Sequence, residues 1–311
     1  EKAVELLKTA LKYTDDYADV YNLIGMEYLF MDNLEKAKEN FIKCLEEDLE
    51  DQSALYNVVY CFEFLDQNQE AIAYLNKYID KNPYSEIAWH QLGRLHYGVK
   101  EYENAIRAFD YATLIDDEFL GAFMEKAKAY ERLKKYEEAI ESYSRTIELD
   151  DATSYALLRM GKCYEKLGNK ALALKHFNQT VHEDPLLDKG WIAITDFYVR
   201  QKNYQKALFF VNKALAIDNQ NHLYWKRYAS INKQMNFFEE AEFGYRKAVE
   251  FGETGLETWL FWVDILQFLG EFESAIQTLL QASEYFPEEN EVEYRLAGLY
   301  FMLTQNTKAK F

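Results

Sequence analysis

Ala3, Ala37, Ala71, Ala105, Ala139, Ala173, Ala207, Ala241, Ala275 and Ala309 stand 34 residues apart along a chain of 311 residues, without a slip from end to end. The three prolines, Pro83, Pro185 and Pro287, are 102 residues apart, three times the same period. A fixed period of this length marks one small unit repeated. Each copy is too small to bury its own apolar face and depends on its neighbours for a continuous core.

With the alanine as position 20, full repeats begin at residues 18, 52, 86, 120, 154, 188, 222 and 256, with partial repeats over 1–17 and 290–311. Position 4 is large, as in Tyr21, Trp89, Trp191, Trp225 and Trp259. Position 8 is mostly small (Gly25, Gly93, Ala127, Gly161, Ala229), with Val59 and Val263 as exceptions. Within 86–99, Trp89, Leu92, Gly93 and His96 recur at the spacing of one helix face, and within 102–115 so do Tyr102, Ala105, Ile106 and Phe109. Turn-like residues such as Asn33, Gly168-Asn169 and Gly270 lie between such segments. So short a join makes the two helices antiparallel, and small side chains at positions 8 and 20 let their backbones approach. Proline at position 32 stops the second helix, because it lacks an N–H and restricts the residue before it.

Trp89, Leu92, Gly93, Ala105 and Phe109, with the periodic prolines, match W-x2-L-G-x2-Y followed by Ala, Phe and Pro. The chain therefore resembles the tetratricopeptide repeat family over its whole length. Lys126, His96 and Asn232 depart from the pattern. The resemblance implies an all-α, right-handed superhelical solenoid of antiparallel helix pairs, one array over 1–311, whose first helices line a concave groove. It also implies a non-catalytic scaffold that holds a segment of a partner protein. A non-catalytic arm of a larger enzyme or of a secretion or assembly complex fits as well. The sequence starts without Met inside one repeat and stops inside another, so flanking segments are expected.

The net charge of −18 argues against nucleic acid as partner, since phosphate binding needs a basic surface. Its distribution is uneven: positions 1–14 of all repeats together sum to zero, so the negative charge lies on second helices and loops. Cys44, Cys61 and Cys163 are expected as buried free thiols, which suits a reducing compartment such as the cytoplasm. No apolar run reaches the length of a membrane span. Oligomeric state is not readable.

Catalytic, cofactor and metal signals are not expected. The SxxK match at Ser230–Lys233 lies within a repeat helix, and the sequon at Asn178 places Thr180 at a packing position. His90, His96, His176, His182 and His222 fall at five different phases, without ligand spacing.

In the family, positions 2, 5, 6, 9, 12 and 13 of the first helix face the groove. Repeats three to seven place Arg94, Lys128, Arg132, Arg159, Lys162, Lys166, Lys189, Arg200, Lys226, Arg227 and Lys233 there. Arg159, Arg227 and Arg295 share position 6 in alternate repeats. These cations read either as a track for an acidic segment or as a solvated face neutralised by Glu125, Glu131 and Glu165. Upstream the same positions hold Phe30, Tyr56, Tyr60, Phe64, His90 and Tyr97, which read as apolar anchors or as packing against the next repeat. Family members that bind chaperone tails clamp a terminal carboxylate with five set residues. In the first three full repeats only Asn57 fits; in the triplet from residue 222, Lys226 and Arg295 fit but Ser230, Phe261 and Glu291 do not.

Overall fold

The computed structural model describes residues 2–149 and 154–308, with side chains as far as Leu303. Among the described residues there are only helices. They fall into two compact units, residues 1–168 and 169–311. The first holds α1 (Lys2–Ala10), α2 (Tyr17–Phe30), α3 (Leu34–Glu47), α4 (Gln52–Phe64), α5 (Asn68–Lys81), α6 (Glu86–Gly98), α7 (Tyr102–Ile115), α8 (Leu120–Arg132), α9 (Tyr136–Leu149) and α10 (Ser154–Lys166). The second holds α11 (Lys170–Glu183), α12 (Asp188–Arg200), α13 (Tyr204–Ile217), α14 (His222–Gln234), α15 (Phe238–Glu250), α16 (Leu256–Phe268), α17 (Phe272–Tyr285) and α18 (Asn290–Lys308). The division falls at Gly168 and Asn169, inside a repeat. Even-numbered helices are the first helices of the repeats, odd-numbered ones the second.

The turn between first and second helix is built one way throughout. Asp32, Asp66, Lys100, Lys134, Gly168, Lys202, Asn236 and Gly270 all have positive φ, and all occupy position 15. A left-handed residue closes the first helix and returns the chain. Two of these eight are glycine, so the others hold L side chains where they are disfavoured. Asn33, Asn169 and Asn203 follow and cap the second helix by accepting from the backbone N–H three residues on. At the far end, Asp48, Asp116, Asp184 and Asp218 each accept from the backbone N–H two residues ahead, turning the chain into the next repeat.

The alanines at position 20 are 0% exposed from Ala37 to Ala275. Position 24 is buried as well, at most 2% exposed, and its size is matched to position 8. A Cβ on Gly25 would stand 2.6 Å from the Phe41 ring, and one on Gly93 2.5 Å from the Phe109 ring. Val59 and Val263, the exceptions at position 8, share their cores with the smaller Leu75 and Leu279. The large residue at position 4 does more than fill space. The indole N–H groups of Trp89, Trp191 and Trp225 donate to the carbonyls of Pro83, Pro185 and Asn219, tying each first helix to the preceding loop.

Candidate protein-binding face

Side chains bridge consecutive first helices and show that these helices share a face. In the first unit, Arg94 on α6 lies 3.8 Å from Glu63 on α4. Arg132 on α8 donates from Nε to the Tyr97 hydroxyl on α6 at 3.1 Å. Lys128 on α8 sits 5.5 Å from the centre of the Tyr155 ring on α10. Arg159 on α10 donates twice to Glu131 on α8, at 2.8 and 2.5 Å. Glu131 also accepts from the buried Tyr143 hydroxyl, and burial together with that carboxylate pushes the Tyr143 phenol well above its ordinary range. Arg159 is raised too: burial works against its charge, but the Glu131 carboxylate outweighs it.

In the second unit, Arg227 on α14 makes a two-pronged pair with Asp196 on α12, at 2.8 and 3.2 Å. Arg295 on α18 pairs with Asp264 on α16 and with Glu291. Lys233 lies 4.3 Å from the centre of the Phe261 ring. Lys226 and His222 flank Glu253, at 3.5 and 3.1 Å. Glu253 is buried and also accepts from the Gly255 N–H. Burial pushes its carboxyl up, but His222, the Gly255 N–H and Lys226 together hold it below the usual range.

Tyr56 and Tyr60 are exposed on α4 beside Phe64, with the Tyr60 and Phe64 rings 4.3 Å apart. Leu23 and Phe30 on α2 are exposed as well. Arg94 and Lys128 meet in a cleft of about 210 Å³ lined also by Tyr97, Gly98 and Glu125. His90 lies beneath this face rather than on it: it is 8% exposed, its ring is 4.7 Å from Phe119, and its Nε2 is 3.2 Å from Glu125. Phe119 stands at the N-cap position that Asp16, Asp51, Ser85 and Asn221 hold in α2, α4, α6 and α14, and its ring packs against the histidine. Lys162 is half-buried, while Lys166, Lys189 and Arg200 are exposed.

Asp196 and Asp264 escaped the sequence reading. Their signal is a carboxylate at position 9 followed 31 residues later by arginine at position 6. The cysteines are free and buried; burial pushes the Cys61 thiol up to about 11 and the Cys163 thiol up to about 12, so neither is a ready nucleophile. No helix among the described residues is long and apolar enough to cross a membrane.

Family models described as tetratricopeptide repeat match residues 18–51, 53–85, and 90–154 with 124–188, together more than half of the chain. No curated protein matches. Among solved structures, a tetratricopeptide repeat protein from Parabacteroides merdae is 15% identical, with a TM-score of 0.55 over 79% of this chain and 97% of that one. Pseudomonas aeruginosa pilF is 16% identical, with a TM-score of 0.54 over 68% and 97%. The Cut9–Hcn1 hetero-tetramer of the APC/C is 16% identical, with a TM-score of 0.51 over 96% and 58%. At such identities the likeness concerns the fold alone.

Proposed function

We propose, for a chain that belongs to the tetratricopeptide repeat family, that the first-helix face of the N-terminal unit holds a segment of a partner protein. The observation that carries this reading is the juxtaposition on α4, α6 and α8. Exposed Tyr56, Tyr60 and Phe64 lie on α4, which packs against α6, and the cleft of Arg94, Tyr97 and Lys128 follows. Aromatic anchors give a ligand apolar contact at small entropic cost, and a half-enclosed pair of cations selects for a carboxylate beside them. The ligand in this reading has one or two large apolar side chains followed by an acidic one.

The longer cationic track contracts accordingly. Arg159 and Arg227 are committed to Glu131 and Asp196, and Lys226 to Glu253. A ligand carboxylate would have to displace one already in place. Lys128, which stands over the Tyr155 ring, carries more of the reading.

The test is site-resolved photo-crosslinking in the source cell. A photoreactive residue at Tyr60 or Lys128 is expected to trap one and the same partner. The same residue at Glu141, exposed on α9, is expected to trap none of it. Equal yield from all three positions would overturn the proposal. Lys128→Glu is expected to lower the yield at Tyr60 if the ligand is acidic and to leave it unchanged if the anchors act alone.

A further inference from the structure

We infer a second interface: the outer face of α13, which docks onto the acidic N-terminal unit of another copy of this chain. Among the second helices, α13 alone has no carboxylate, in a chain of net charge −18. Residues 169–217 carry seven Lys and Arg against four Asp and Glu, the reverse of the chain as a whole. Lys206, Phe209, Lys213 and Ile217 are all exposed and recur at the spacing of one helix face. Ala207, Val211, Ala214 and Leu215 occupy the buried side of the same helix.

Phe209 is 58% exposed, and position 22, where it stands, is Glu39, Arg107, Glu141, Lys175 and Gln277 in other repeats. Phe243 on α15 repeats it one period later, 38% exposed. Each ring has a cation beside it, Lys213 at 5.5 Å and Arg246 at 5.4 Å from the ring centres. Phe209 meets Phe210 edge-on at 5.1 Å and Phe243 meets Trp225 edge-on at 5.6 Å, and the rest of each ring stays open to solvent. They lie on second helices, so they are not part of the first-helix face.

Charge complementarity identifies the occupant. Residues 1–168 hold 34 Asp and Glu against 20 Lys and Arg. On α7 and the loop after it, exposed Tyr111 and Leu114 share a helix face with Arg107 and are followed by exposed Asp117 and Glu118, with Glu103 two turns before them. Apolar side chains bordered by carboxylates complement apolar side chains bordered by lysines. The two faces differ, so the contact is heterologous. A copy engaged through α13 keeps its own α7 available, and copies add head to tail.

The experiment is sedimentation of the intact chain over a concentration series at physiological ionic strength. There screening over about 8 Å mutes the repulsion between two strongly negative chains and leaves the close contacts. The unmodified chain is expected to grow past dimer with concentration. Lys206→Glu with Lys213→Glu, and separately Asp117→Lys with Glu118→Lys, are expected to weaken association at least about tenfold. Mixing the two charge-reversed proteins is expected to restore it, because each then offers the other an opposite face. Phe209→Ser is expected to weaken association with an unchanged melting curve. A chain monomeric throughout, or a mixture that associates no better than its components, would overturn the inference.

Discussion

The two units use one frame and fill it differently. In residues 1–168, the contacts between glycine at position 8 and phenylalanine at position 24 recur at Gly25/Phe41 and Gly93/Phe109. Residues 169–311 add Thr195 with Val211 and repeat, in Val263 with Leu279, the solution of Val59 with Leu75, all buried. The summed volume is kept while its division between the helices changes. The first-helix faces diverge more. The N-terminal unit exposes Tyr56, Tyr60 and Phe64 and a cleft with Lys128, beside one two-pronged pair, Arg159–Glu131; the C-terminal unit joins its helices by Arg227–Asp196 and Arg295–Asp264. Recurrent position therefore fixes where a side chain stands, and the facing residue of the next repeat decides whether it can receive a ligand.

The strongest way to break this comparison is to move one unit's packing solution into the other. Gly93→Val should cost about 3 kcal/mol, the upper end of overpacking, because the Phe109 ring already occupies that space. Adding Phe109→Leu should recover most of the loss, since the pair then copies Val263 and Leu279 of the other unit. Denaturant melts of the two variants check both outcomes. No recovery in the double variant would sink the idea of conserved volume.

Acid titration tests the loops, at a smaller scale. Asp51 in one unit and Glu253 in the other are loop carboxylates that are partly and fully buried. Burial pushes Asp51 up, but the Ala54 N–H, Ser53, Cys44 and Asn22 hold it below its ordinary range, as the His222 group does for Glu253. Both are lower folded than unfolded. Their contribution is thus complete above the ordinary carboxylate range and lost as pH falls through the folded value. Glu253→Gln should cost about 1 kcal/mol at neutral pH and flatten the acid limb of stability against pH. Asp51→Asn should do less, because its partners include no cation. The smallest effect is expected at the turns: Lys134→Gly and Lys202→Gly, one in each unit at φ of 61° and 57°, should each raise stability by about 0.5–1 kcal/mol in thermal melts.

The alanine period and the helix faces were readable before any coordinates, because small residues at a crossing and a 3.6-residue face are imposed by local geometry. The exceptions were readable as positions but not as reasons. Val59 is an exception at position 8, and Leu75, which shares its core, supplies the reason. The cations likewise left two readings open. Glu131, one of the carboxylates expected to neutralise the track, pairs with Arg159, whereas Asp196 and Asp264 each lie 31 residues from their arginine, a separation that no helix periodicity links. His90 was placed on the binding face by its phase and is covered by Phe119.

By itself, then, the sequence determined the repeat, its two helices, the buried alanines and the acid-poor character of the first helices. These follow from spacing along one chain. Only the tertiary structure decided which cations are already paired, which aromatics stay exposed and how positions 8 and 24 share one volume. Those depend on contacts between residues about half a period or a whole period apart, where a one-residue difference in the facing helix changes the partner.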